Sequence, residues 1–341
     1  MPRGGTTVAL DGFGVENGFD VFTEGVTLAA AGGLNIRVFG PASELDFTGL
    51  AGVTLIDTTE SITNEDDPVP AVRSRPDASI VRAVADVTEG NSDAVVSLGS
   101  TGATMAAATF GLRRSKGVKR PALAAQIPLP GRPVLFLDVG ANLDVRAQHL
   151  VQFAYLGASY AKSVLGVKAP TVGLLSVGEE AGKGKEEVVE AHAQLSGSSE
   201  IDFIGNVEGR DIPGAKADVI VTDGFTGTIA LKAMEVSAKL VGSAISDAAR
   251  RNPVSALGGL MMKPAMGGLR RELHPDTTGG AMLLGLRKVT VVGHGSSGAE
   301  GVANAIRLAA RAAVADAPGI TEEMLQRVGA NRGAIDSGPA A

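Results

Sequence analysis

The chain has 341 residues, 44% hydrophobic and 20% charged, enough apolar material for one large α/β domain or two smaller ones. It contains no Cys, which excludes a disulfide framework, a thiolate metal site and a cysteine nucleophile. A net charge of −6 argues against nucleic acid as a partner, and an aromatic content of 4% points to a small, aliphatic core. Met1 to Leu10 carries one Arg and no long apolar stretch, so no signal peptide is expected. No apolar run approaches the ~20 residues of a membrane span, and the expected compartment is the cytoplasm.

Taken in order, several apolar runs end in a glycine-containing turn and lead into a segment of helical periodicity. Thr6 to Asp11 enters the turn GFGVENG; Asp93 to Gly99 leads into STGATMAAATFGL. Pro133 to Gly140 leads into ANLDVRAQHLVQFAYLG, and Pro170 to Gly178 passes through EEAGKG into KEEVVEAHAQL. Ala217 to Gly224 and Val289 to Gly295 open the last two such units. Continuous apolar strands alternating with helices predict a three-layer α/β/α fold around a mostly parallel sheet. One catalytic unit is expected over 1–330, with a helical excursion at about 240–275 and a flexible tail at 331–341. Ligands in such sheets bind beyond the carboxyl ends of the strands, so the turns are expected to share one edge and line one cleft.

Two stretches break this rhythm. Asp57 to Asp77 is polar and proline-rich and reads as a long loop or lid. In Arg251 to Leu273, Leu257, Leu260, Met261 and Met262 lie on a helix that Pro264 is expected to kink or end. A core or dimer helix is one reading; an amphipathic hairpin touching a membrane, with Lys263 beside its apolar face, is the other.

A turn that feeds a helix N-terminus presents free N–H groups and the positive end of the helix dipole, a ready anion site. Ser100, Thr101 and Gly102 form one; Gly140, Ala141 and Asn142 a second; Ser296 and Ser297, after His294, a third. The first turn is GxGxxxG and lacks dinucleotide spacing, and GEEAGK at Gly178 to Lys183 is one residue short of a P-loop, so neither NAD nor ATP is expected. What remains in that loop is Glu179, Glu180, Lys183 and Lys185 among glycines. His149 and His192 fall within helices, whereas His294 stands at a strand end and is the better acid–base candidate. Asp11, Asp138 and Asp223 also stand at strand ends, to orient donors, bind a cation or cap the next helix. Arg113, Arg114, Lys116, Lys119 and Arg120 form a basic segment, either a solvated turn or a dock for an acidic partner.

These pieces resemble the PlsX-type phosphate acyltransferases over about Asp11 to Arg307. The resemblance rests on DVGANLD at Asp138 to Asp144, HLVQFAYLG at His149 to Gly157 and VGEEAGKG at Val177 to Gly184. FIGNVEGRDI at Phe203 to Ile212, DGFTG at Asp223 to Gly227, GGAMLLG at Gly279 to Gly285 and HGSS at His294 to Ser297 extend it. It implies a fold similar to phosphotransacetylases and isocitrate dehydrogenases, and transfer of a fatty acyl group from acyl carrier protein (ACP) to inorganic phosphate for phospholipid synthesis. No cofactor or metal is implied. A homodimer is implied, loosely associated with the inner face of the membrane or with a membrane glycerol-3-phosphate acyltransferase. On this resemblance the basic segment becomes the ACP dock. Asn142, Lys183, His294 and Asp223 become catalytic candidates. Asp11, Ser100, Thr101, Gly102, Gly140, Glu179, Gly182, Asn206, Glu208, Gly224, Ser296 and Ser297 become candidates for holding phosphate or substrate. Phosphate would attack the thioester directly, Asn142 and backbone amides would stabilise the oxyanion, and His294 or a water would return a proton to sulfur. The chain departs from the family pattern at the first turn and at Ser100, Thr228 and Gly298. An acyl-CoA-using phosphotransacetylase and a non-catalytic binding descendant are the alternatives.

Overall fold

The computed structural model describes residues 5–129 and 131–329; the expected tail lies outside them. Among the described residues eleven strands form one sheet. They are β1 (Thr7–Asp11), β2 (Asn35–Gly40), β3 (Val53–Asp57), β4 (Ala94–Ser97), β5 (Ala122–Ile127), β6 (Val134–Leu137), β7 (Thr171–Leu175), β8 (Asp202–Val207), β9 (Val219–Val221), β10 (Ala281–Leu284) and β11 (Val289–Val292). The helices are α1 (Phe19–Ala30), α2 (Pro68–Ser74), α3 (Ser79–Thr88), α4 (Thr101–Gly111), α5 (Ala147–Ser163), α6 (Glu186–Ser196), α7 (Gly224–Ala249), α8 (Pro253–Glu272), α9 (Ala299–Val314) and α10 (Ala317–Arg327). The strand order is β3-β2-β1-β4-β11-β10-β5-β6-β9-β7-β8.

The central strands are apolar at consecutive positions because both of their faces are covered. AVVS in β4, VLFL in β6, VIV in β9 and VTVV in β11 are buried throughout. On β1, Val8 and Leu10 face Phe22 and Val26 of α1 and Val302 of α9. Ala9, one residue out of phase, faces Ile80 and Val84 of α3 and Ala107 of α4. Helices α5, α6 and α10 complete the first layer; α2 and part of α7 join the second. The three-layer α/β/α architecture follows from this.

Two segments differ from the sequence reading. The stretch expected to be a loop or lid carries α2, which lays Pro68 against Gly102 at the start of α4. Its turn is tied down by Arg75, whose guanidinium donates twice to Asp66 (3.0 and 2.7 Å) and holds that carboxyl down at about 2. The second is the excursion. Helix α8 runs on through Pro264, and its Leu257, Leu260, Met261 and Met262 are exposed, Met261 by 77%. Phe225, Ile229, Val236, Leu240 and Val241 of α7 are exposed as well, so the pair is a projecting hairpin and not a core element.

Candidate active site

Strand direction decides which turns meet. Three successive antiparallel pairings, β11–β10, β10–β5 and β5–β6, separate the two parallel blocks of the sheet. Three is odd, so the blocks run in opposite directions. The carboxyl ends of β1, β4 and β11 emerge at one rim, and those of β6, β9, β7 and β8 at the opposite rim. The turns expected to line a single cleft are thus divided between two rims.

The first rim gathers Asp11, Ser100, Thr101, Gly102, His294, Ser296 and Ser297. Here β1 and β4 end against each other so closely that a methyl on Gly14 would lie 2.1 Å from the Gly99 Cα. Asp11 is buried and accepts the Ser79 and Ser97 hydroxyls (2.6 and 2.8 Å) and the Phe13 N–H (3.2 Å). Burial outweighs those bonds and raises its pKa. Asn17 donates to the Ser296 and Ser297 carbonyls, which pins the HGSS turn to the first turn. His294 is exposed, with its Nδ1 2.7 Å from the Ser296 hydroxyl. Asp276 stands at the start of α9 and accepts the Gly298 N–H, so this helix terminus already faces a carboxylate. The start of α4 is different. Ser100 caps Ala103, but the N–H groups of Ser100, Thr101 and Gly102 meet no acceptor among the described residues. No hydrogen bond or ion pair there brings a Lys or Arg to Asp11, Ser100 or His294.

The second rim is built on Asp138, which is 0% exposed. Its carboxylate accepts the N–H groups of Leu123, Gly140, Ala141 and Asn142 and the Asn142 side-chain amide, at 2.7–3.1 Å. The nest expected to bind phosphate is therefore filled by the chain's own carboxylate. Burial raises the pKa of Asp138, and the converging donors only partly oppose it. Asn142 donates its amide to the Pro121 carbonyl and to Asp138, which corrects the reading of this side chain as the oxyanion donor. Gly140 supports the nest at φ 137°, and α7 docks directly on it: a methyl on Gly227 would lie 1.9 Å from the Asp138 carbonyl oxygen.

Asp223 caps α7 by accepting the Thr226 N–H (2.7 Å) and hydroxyl (2.8 Å), and it also accepts Lys185 Nζ at 3.1 Å. Burial alone would push Asp223 up; these three partners together hold it below the usual carboxylate range. It is a cap and a cation anchor, with three donors already on its carboxylate. The Gly224 N–H goes to the Asn142 carbonyl (2.7 Å). Lys183 is exposed and its Nζ has no partner among the described residues. Asn206 is buried and donates to the Glu180 carbonyl, with its oxygen 3.0 Å from His192 Nδ1, so it shapes the glycine loop that carries the exposed Gly182. Glu208 pairs with Arg210 (3.0 Å) and Glu179 with Lys216 (2.9 Å). These three side chains are engaged in holding the rim together; Asn206 is buried, while Glu208 is half-buried and Glu179 is exposed.

Sequence reasoning missed Lys185 as the cation on Asp223, Ser79 on Asp11 and Asp276 on α9. Only the first had a local signal, its place beside Lys183.

A family model described as fatty acid synthesis protein matches residues 6–318. A phosphate acyltransferase of Elusimicrobium minutum is 44% identical over 269 residues, 79% of each chain. One from Lactococcus lactis subsp. cremoris is 40% identical over 306 residues, 88% of this chain and 92% of its own.

The chain belongs to the phosphate acyltransferase family, and is a transferase.

Solved structures agree in fold alone. A phosphotransacetylase from Streptococcus pyogenes superposes with a TM-score of 0.57 at 18% identity, covering 91% of this chain and 94% of its own. The EutD phosphotransacetylase of Staphylococcus aureus gives 0.55 at 16% identity with the same coverage. Among the described residues no helix is long and apolar enough to cross a membrane.

Proposed function

We propose that this phosphate acyltransferase moves a fatty acyl group from ACP to inorganic phosphate, and that the reaction takes place at the second rim. The observation that carries this is the meeting there of two exposed lysines with an apolar strip. Lys185 reaches Asp223, exposed Lys183 lies two residues earlier in the same loop, and Phe225 and Ile229, both exposed, follow on the first turns of α7. Lysines hold a phosphate dianion; the strip suits an acyl chain. A phosphate oxygen attacks the thioester carbonyl, the C–O bond forms and the C–S bond breaks. A thiol with a pKa near ~8.5 leaves readily and takes the proton of the attacking hydrogen phosphate, so the step balances without a separate acid. His294, on the other rim, has no part in it. Positioning of the two substrates supplies most of the acceleration.

A second reading puts phosphate on the start of α4, favoured by its unpartnered N–H groups. Purified protein incubated with long-chain acyl-ACP, with and without phosphate, tests the reaction: phosphate-dependent release of ACP matched by acyl phosphate is expected. The same yield from acyl-CoA would overturn the assignment of the donor. We also read the exposed apolar side of α7–α8 as the surface that meets a membrane, where product is consumed, with a second copy as the other occupant. Co-sedimentation with lipid vesicles, compared with the hydrodynamic mass without them, separates the two.

A further inference from the structure

The basic segment recognised in the sequence is half of a larger surface. The chain from Arg113 to Arg120 leaves α4 at the second rim and leads into β5. The β10–β11 turn reaches the same rim and brings Arg287 and Lys288, about 170 residues later in the chain, alongside. The Arg287 N–H donates to the Arg113 carbonyl (3.1 Å) and its Nε–H to the Arg114 carbonyl (3.2 Å), while Arg114 bridges Leu286 in antiparallel fashion. From below, Gln152 of α5, almost fully buried, accepts the Lys119 N–H (2.9 Å) and donates to the Gly117 carbonyl (2.8 Å). The Ser115 N–H is held by the Gly285 carbonyl (2.9 Å). The loop is thus clamped on two sides, and its charges are presented by a fixed backbone.

The surface is continuous with the reaction rim. Arg120 donates to the Asp144 carbonyl (2.9 Å), and Pro121 accepts the Asn142 amide of the Asp138 nest. Arg120, Lys119 and Arg146 crowd around His149, whose pKa burial first and these charges second lower to about 4. Arg113, Arg114, Lys116, Arg120, Arg287 and Lys288 have no carboxylate partner among the described residues. In a chain of net charge −6 such a run of unneutralised cations requires a reason. Beyond Arg146, across a surface cavity, α6 presents Glu186, Glu187 and Glu190, an acidic border that limits the patch on that side.

We propose that Arg287 and Lys288 complete a preformed cationic platform that receives the acidic helical face of a carrier protein and sets its thioester arm over the second rim. The proposal rests on the assignment of ACP as donor. Fixed cations lose little side-chain and loop freedom on docking, and charge complementarity acts mainly on encounter and register. Membrane lipid also meets basic surfaces, but the continuous run of exposed apolar residues lies on α7–α8, whereas Phe110 and Leu143 are isolated exposed apolar residues at the border of this patch.

The test uses the full chain. Binding of holo-ACP and turnover of acyl-ACP and of a small acyl-pantetheine thioester are measured for wild type, Arg287→Glu and Lys288→Glu. Each charge reversal is expected to weaken holo-ACP binding about tenfold at low salt, and this difference should shrink in 0.5 M salt, where screening reaches within ~5 Å. The ratio of kcat/KM on acyl-ACP to that on the small thioester should fall by a similar factor. Lys288→Glu breaks no side-chain bond among the described residues and keeps the test valid should loss of the Arg114 contact unfold Arg287→Glu. Unchanged ACP affinity in a folded Lys288→Glu, or loss of anionic-vesicle binding with ACP affinity intact, overturns the platform. A wild type that turns over the small thioester but not acyl-ACP instead overturns the donor assignment on which it rests.

Discussion

The two rims of the sheet use the same ingredients, a strand-end Asp and a glycine turn feeding a helix, to opposite effect. At the second rim Asp138 takes five N–H donors and leaves the turn electrostatically complete. At the first, Asp11 is held mainly by two hydroxyls, and the N–H groups at the start of α4 meet no acceptor among the described residues. A glycine-rich turn is therefore an anion site only when nothing in the chain has reached it first. The lysines of the glycine loop follow the reverse pattern: Lys185 bonds to the strand-end carboxylate of the filled rim, while among the described residues no Lys or Arg bonds to Asp11, Ser100 or His294 at the open one.

The sharpest way to break this comparison is at the two carboxylates. Asp138→Ala orphans several buried donors and is expected to cost about 4 kcal/mol in urea unfolding. Asp11→Ala should cost about half of that, because freed hydroxyls rotate to new partners. Equal losses would mean that the rims are built alike. Next, Lys185→Ala should raise the KM for phosphate about tenfold with the KM for donor little changed, the loss of one charge-assisted contact. Ser100→Ala should lower stability by about 1 kcal/mol as a lost cap while leaving the phosphate KM in place. The opposite outcome moves phosphate to the start of α4. The smallest effect concerns His149. Its folded pKa, about 4, lies below its ordinary 6.5, so the stability it contributes is present above 6.5 and is lost as pH falls through that interval. His149→Gln should flatten this part of the stability-versus-pH curve, read by thermal melts between pH 7 and pH 4.

The strands buried on both faces were legible because nothing but an unbroken apolar run fits there; β4, β6, β9 and β11 all announce themselves. β5 and β10 did not. ALAAQI is alanine-rich and AMLL only four residues long, and neither alternates, yet these two strands reverse the sheet and divide the site. Pairing across 160 residues leaves no local trace. Within the site, residue types were legible and partners were not. Asn142 and Asp223 stand where expected, but each is occupied by bonds to segments distant in sequence, and Lys185 rather than Lys183 reaches the strand-end carboxylate. The Arg113 to Arg120 patch was visible as a run, whereas Arg287 and Lys288 became its neighbours only through folding.

Helix α7 begins at the Asp223 cap and continues without interruption for 26 residues, about 39 Å, into the exposed hairpin. It is in effect a lever fixed at one end to the Asp138 nest. A tilt of about one degree at Gly224 carries the tip through roughly 0.7 Å over that length. Read backwards, any surface that clamps the tip restrains the orientation of the first turn of α7, so a hold on the far end of this rod is also a hold on the lysine-bearing turn at its root.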